Sequence, residues 1–189
     1  WQFALAEEQL AQVKSKSFDY VPVTSTRGAM SRKPQRMVSV MKEKLLPNTL
    51  SGETVLERCK WRMCLNGSTL TVHEDFADLN SPTMNGATHR LLHAFARLLG
   101  LASAQFDLPH CFLQTPLADC LMSWPADELF KYNDRNGVPY IHSYRYSVYG
   151  GKQSGHLWWR EVSIFLIDKL GFISLTNLPA VFAKQVGTK

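Results

Sequence analysis

The stretch VLERCKWRMCLNGS, residues 55–68, alternates with a period of two. Val55, Glu57, Cys59, Trp61, Met63 and Leu65 fall on one side of an extended chain, and Leu56, Arg58, Lys60, Arg62 and Cys64 on the other. Successive side chains of a strand point to opposite faces, so this pattern predicts a strand that ends at the Asn66-Gly67 turn. Arg58, Lys60 and Arg62 then share one face as a cationic stripe.

Working outward, strands and helices come in mixed order. Residues 2–15 read as an amphipathic helix with Phe3, Ala6, Leu10 and Val13 on its apolar side. FDYVPV (18–23) alternates like a short strand, and residues 24–35 form a polar, basic loop. RMVSVMKEKL (36–45) reads as a strand leading to a turn at LPNTLSGET (46–54). The clearest helix is NSPTMNGATHRLLHAFARLLG (80–100). Its Leu91, Leu92, Phe95, Leu98 and Leu99 predict a buried stripe, with Gly100 at the stop position. His89 and His93 lie four apart on it, the spacing of half a metal site, although a structural role is the plainer reading.

The segment AQFDLPHCFLQTPL (104–117) reads as a strand with one acid, Asp107, set in an apolar run. An unpaired buried carboxylate is costly, so something must neutralise it. CLMSWP (120–125) and the residues after the Asn136-Gly137 turn read as further strands. SGHLWWREVSIFLIDKLGF (154–172) is a second strong helix, with Trp158 and Trp159 as core aromatics and Gly171 as its cap. Together these elements predict an α+β fold, a small mixed or antiparallel sheet with packed helices.

Composition narrows the function. The 189 residues are 45% hydrophobic, enough for one domain or two small lobes, and no apolar run approaches a membrane span. The start lacks the basic and small-residue signals of a secretory leader and lacks an initiator Met, which reads as a piece of a longer product. Cys59, Cys64, Cys111 and Cys120 form no CxxC pair and read as free thiols. The net charge of +5 is uneven: residues 14–62 hold eleven Lys/Arg against four acids. A basic first third suits a polyanionic partner such as nucleic acid, or equally a plain solvated surface.

Five strings, in order along the chain, resemble the reverse transcriptase domain of Ty1/copia-type retrotransposons. WQFALAEEQLAQV (1–13) is similar to that family's W-x-x-A-x-x-E-x-x-x-L opening. ERCKWRMCLNG (57–67) is similar to its R-x-K-A-R-L-V-A-x-G segment, and NSPTMNGATHRLLHAFA (80–96) to its SPV-x-x-x-T-x-R-x-LL-x-x-A segment. QFDLPHCFLQTPL (105–117) looks like Q-x-D-V-x-x-A-(F/Y)-L-x-x-x-L, and SVYGGKQSGHLWW (147–159) like (S/A)LYGLKQS-x-x-x-W.

The resemblance implies a right-handed polymerase, with residues 1–104 as a fingers-like region that includes the N-terminal helix. Residues 105–189 would be an incomplete palm, with 118–143 returning to the fingers. Asp107 would be the first palm carboxylate holding a pair of Mg²⁺ ions, helped by the Leu108 carbonyl. Phe112 would be a steric gate against the ribose 2′ hydroxyl. Lys60 and Arg62 would grip the triphosphate, while Gly150, Lys152 and Gln153 would contact template and nucleotide. Implied partners are an RNA template, a DNA primer, deoxynucleoside triphosphates, and the integrase and RNase H segments of a parent polyprotein. The setting would be intracellular, in a cytoplasmic particle or the nucleus, with no membrane.

Departures qualify this. The family's second metal-binding unit, Tyr-x-Asp-Asp, has no counterpart, since no Asp-Asp pair occurs in the 189 residues. The expectation is a chain cut before that hairpin and inactive by itself, or a non-catalytic retroelement remnant or basic nucleic-acid-binding module. Gly151 and Trp61 replace the usual Leu and Ala, and Pro109-His110 interrupts the Asp107 segment. Proline sits in a strand only at an edge or a bulge. A third, remote reading is an unrelated α+β protein with an acidic partner.

Overall fold

The computed structural model describes residues 1–26, 34–47, 53–70, 78–126 and 131–187. The turn expected near 48–52 and most of the basic loop at 24–35 lie outside them. Among the described residues, three α-helices, α1 (Gln2–Ser15), α2 (Gly86–Leu98) and α3 (Ser154–Ile164), accompany seven strands. The strands are β1 (Phe18–Pro22), β2 (Gln35–Pro47), β3 (Thr54–Leu65), β4 (Pro116–Trp124), β5 (Tyr140–Tyr146), β6 (Ile173–Leu175) and β7 (Leu178–Ala183). The fold is mixed α+β, as the alternation of patterns predicts.

The first five strands form one sheet in the order β1-β5-β4-β2-β3. Neighbours run antiparallel except β2 and β4, which meet in parallel at Gln35–Ser123 and Arg36–Trp124. A separate hairpin joins β6 to β7. The β2–β3 ladder is the longest, running from Met37–Leu65 to Pro47–Thr54 with a bulge at Lys44/Leu45. The alternation expected in residues 55–68 holds over the second half of β3, where Trp61, Met63 and Leu65 are buried and Lys60, Arg62 and Cys64 face a less enclosed side, while Val55, Leu56, Glu57 and Arg58 are all exposed. Met37, Leu70, Leu113, Tyr144, Val148 and Ala4 complete the main core.

Three expectations need correction. First, α1 turns Ala4, Glu8 and Gln12 inward and leaves Phe3, Leu10 and Val13 exposed, the reverse of the expected stripe. The helix packs on β3, whose Lys60 feels the Glu8 carboxylate. A charged strand face is better met by an acid than by hydrocarbon, and Gln12 Nε2 donates to Glu8 Oε1 at 2.8 Å, giving that carboxylate a second partner.

Second, the stripe of α2 stays open. The helix is well started, because Asn85 accepts the Thr88 N–H at 2.8 Å, yet Leu91, Phe95, Leu98 and Leu99 are exposed and no residue of α2 is buried. Third, no strand forms around Asp107. Residues 101–108 carry no regular structure and are exposed throughout. Pro109 offers no N–H, His110 takes a left-handed conformation (φ 55°), and a single 3₁₀ turn, Cys111–Gln114, follows. Water therefore solvates Asp107, and the burial cost inferred from its apolar neighbours does not arise.

The second strong helix is nearly as expected. It begins at Ser154, continues through a π turn at Phe165–Lys169 and stops at Gly171 (φ 70°). Trp158 and Trp159 are half-buried rather than fully enclosed.

Candidate functional site

A cleft of about 1100 Å³ lies between α1, the middle of β3 and the segment 107–114. Asp107, Leu108 and Phe112 line it from one side, Lys60 and Arg62 from β3, and Tyr149 from the turn after β5. Five of the eight residues singled out in the sequence thus meet on one surface, though Lys60 and Phe112 stand 52 positions apart in the chain.

Local structure explains their placement. Lys60 and Arg62 lie on one side of β3 by its period-two alternation, and they line the cleft beside the buried Trp61. Burial, first, and then the neighbouring charges of Arg62, Arg58 and Lys44 lower the Lys60 pKa, while Glu8 opposes them. Such a cluster of like charges favours an anion among them. The 3₁₀ turn that follows Pro109-His110 buries Leu113 as an anchor and holds Phe112 half-buried. The Phe112 ring meets Tyr149 edge-on, with centroids 5.7 Å apart at 71°. The Arg62 guanidinium sits 5.0 Å over the Tyr149 ring. Phe112, Tyr149 and Arg62 therefore form one contact chain, linking three separate motifs.

Tyr149 is the residue that motif reading missed. Its place inside SVYGGKQS was the available signal, but the flanking Gly150 drew the functional role instead. Burial pushes the Tyr149 phenol up to about 12, so it stays neutral under Arg62. Glu8 was missed too, because the apolar stripe expected on α1 runs through Phe3, Ala6, Leu10 and Val13.

The remaining three residues, Gly150, Lys152 and Gln153, do not line the cleft. Gly150 adopts φ 83°, and a Cβ there would overlap the carbonyl oxygen of Leu65. The Leu65 N–H donates to the Tyr149 carbonyl at 2.6 Å. Glycine here permits a close backbone approach to β3. Lys152 Nζ donates to the Leu70 carbonyl at 2.7 Å and so ties the turn to the end of the β3 region. Gln153 is buried beside the start of α3, outside the cleft.

Comparison with known proteins then adds an independent line. Over 188 residues, 99% of this chain, it is 24% identical to the Retrovirus-related Pol polyprotein from transposon RE2 of Arabidopsis thaliana. It matches the Retrovirus-related Pol polyprotein from transposon RE1 of the same plant equally, at 24% over 188 residues. The likeness is to a transposon Pol region. The chain spans 12% of the length of these relatives. No protein-family profile matches it, and no solved structure does.

The donor set can be tested against the magnesium pair that the resemblance implies. Asp107 offers one exposed carboxylate, and Leu108 one carbonyl. Among the described residues no three His, Cys, Asp or Glu side chains come together as a metal group. Mg²⁺ demands near-octahedral oxygen ligation, and a two-ion centre needs several carboxylates. The described residues therefore do not fit a two-magnesium site. Among them, too, no helix is long and apolar enough to cross a membrane. Cys59, Cys64 and Cys111 are free thiols.

Proposed function

We propose that this chain is the nucleotide-gripping part of a copia-type RNA-directed DNA polymerase, the fingers and an incomplete palm. The observation that carries this reading is the cleft itself. Lys60 and Arg62 of one motif, Asp107 and Phe112 of a second, and Tyr149 of a third line the same 1100 Å³ space. The full-length likeness to transposon Pol polyproteins supports it. So does the pairing of β4 and β5 into the sheet of β1–β3, as expected if residues 118–143 return from the palm (105–189) to the fingers (1–104).

In this reading Lys60 and Arg62 hold the triphosphate of an incoming deoxynucleotide, with Tyr149 keeping the guanidinium plane in position. Charge-assisted contacts to phosphate are each worth about 1.5–3 kcal/mol. Phe112 forms a wall beside the sugar. An RNA template and a DNA primer run along the basic surface, and the integrase and RNase H segments of a parent polyprotein are neighbours. The setting is intracellular, in a cytoplasmic particle or the nucleus. Because its described residues do not complete a magnesium pair, the chain alone binds nucleotide without extending a primer.

Equilibrium titration of this chain with a deoxynucleoside triphosphate checks the reading. Lys60→Ala or Arg62→Ala should weaken binding by about 10–100-fold, the range of one lost charge-assisted contact. Unchanged affinity in both variants would remove the nucleotide assignment. In the longer polyprotein, Asp107→Asn should abolish primer extension, and Phe112→Ala should admit ribonucleotides.

A second reading has its own observation. Among the described residues Asp107 joins no group of three potential metal ligands, which suits a non-catalytic module that only binds nucleic acid. Its signature is salt-dependent binding to RNA–DNA hybrids that gains nothing from added deoxynucleotide.

A further inference from the structure

The polar side of α2 carries a feature that the cleft does not use. His89 and His93 stand one helical turn apart, and their Nε2 atoms lie 3.2 Å from each other. The rings are 4.4 Å apart between centroids and inclined at 65°. Both residues are exposed, so the plain structural role expected from the sequence does not hold for them. By helical periodicity they share a face with Arg90 and Arg97, opposite Leu91, Phe95, Leu98 and Leu99. A partner that covered the apolar stripe would therefore leave the two imidazoles in solvent.

We propose that His89 and His93 form a surface chelate for a divalent transition-metal ion of the imidazole-preferring class, Zn²⁺, Ni²⁺ or Cu²⁺. The geometry supports it. Two nitrogens 3.2 Å apart, each bound at about 2.0–2.1 Å to one zinc, subtend about 100° at the metal, between square-planar and tetrahedral angles. In the metal-free state one ring N–H donates to the other ring nitrogen. On binding, the donor ring moves its proton from Nε2 to Nδ1 by exchange with water, and both Nε2 lone pairs face the ion from neutral imidazoles.

No third His, Cys, Asp or Glu joins them among the described residues, so water fills the remaining positions. Arg90 and Arg97 on the same face disfavour a hard cation held by charge alone. Magnesium and calcium, which need oxygen donors, are excluded by the same chemistry. The site is separate from Asp107 and does not depend on the polymerase reading.

The test uses tag-free chain and each metal chloride alone, by isothermal titration and thermal unfolding. One Zn²⁺ or Ni²⁺ per chain should bind and raise the melting temperature. His89→Ala and His93→Ala should each weaken binding by about tenfold or more, because one imidazole lacks the chelate. His89→Asn and His93→Asn, milder changes on an exposed face, guard against a folding artefact. MgCl₂ should bind at neither histidine. The proposal is overturned if all four variants bind like the parent, or if binding vanishes when Cys59, Cys64 and Cys111 are alkylated, which would assign the ion to thiolates. It is also overturned if the parent binds no tighter than a single-histidine variant.

Discussion

A Gly150→Ala chain should lose about 3–6 kcal/mol of folding stability, most or all of what a domain of this size has. Three costs coincide at this one position. Alanine at φ 83° adopts a left-handed conformation that L side chains disfavour. Its Cβ would overlap the Leu65 carbonyl oxygen, a backbone atom that cannot rotate out of the way. Separating the two backbones enough to relieve that overlap would stretch the Leu65 N–H to Tyr149 carbonyl bond, now 2.6 Å. Gly67 stands across the same junction, where an added Cβ would come within 2.5 Å of the Gly150 carbonyl, so little slack exists on that side either. Urea denaturation measures the loss, and Gly137→Ala is the internal control. Gly137 also has a positive φ, 77°, but open space around it, so alanine there should cost only the strain, about 1–2 kcal/mol. If both variants unfold at the same urea concentration, the junction between β3 and the SVYGG turn is not as tight as described. Because Tyr149 precedes Gly150, a milder loosening would also free Arg62 and weaken nucleotide binding before the fold is lost.

Acidification should cost about 3 kcal/mol through one buried imidazole, His142 on β5. The ring stacks on Phe18 at 4.2 Å, meets Tyr20 edge-on, and shares a 3.2 Å contact between Nδ1 and the Tyr144 hydroxyl. Its Nε2 is buried with no partner among the described residues. Burial lowers its pKa from 6.5 to about 4, because nothing here compensates a charged ring. Between those values the unfolded chain takes up the proton and the folded chain does not. Stability therefore falls as pH drops from 6.5 toward 4, and is unaffected by this group above 6.5. His142→Phe keeps the stacked shape and removes the titration. The difference in unfolding free energy between parent and variant should change by about 3 kcal/mol across that window. Parallel curves for the two proteins would show that His142 is hydrated in the folded state.

How much of this was legible beforehand depends on whether the governing contact is local. The β3 alternation, the Asn85-started α2, the stop at Gly171 and the turn at Asn136-Gly137 all follow from residues within one or two turns of each other. For these, backbone geometry and side-chain period suffice, and the α+β class follows from their mixture. The cationic face of β3 was readable for the same reason, since alternation alone puts Lys60 beside Arg62. The strand expected at Asp107 failed because Pro109 and His110 overrode the apolar pattern, and an exposed acid has no burial cost to explain.

Tertiary contact decided the rest. Which side of α1 faces inward was set by the charge of the strand it meets, which the helix's own residues do not contain. The joining of Phe112, Tyr149 and Arg62 into one wall depends on three segments brought together by the sheet order. The close packing of Gly150 against Leu65 was likewise invisible until the fold set the two side by side. By itself, the sequence determined most of the elements, the basic strand and the likeness to a transposon Pol region. Only the folded chain decided which faces are covered, because burial is a property of two surfaces in contact, and the sequence of either one specifies half of it.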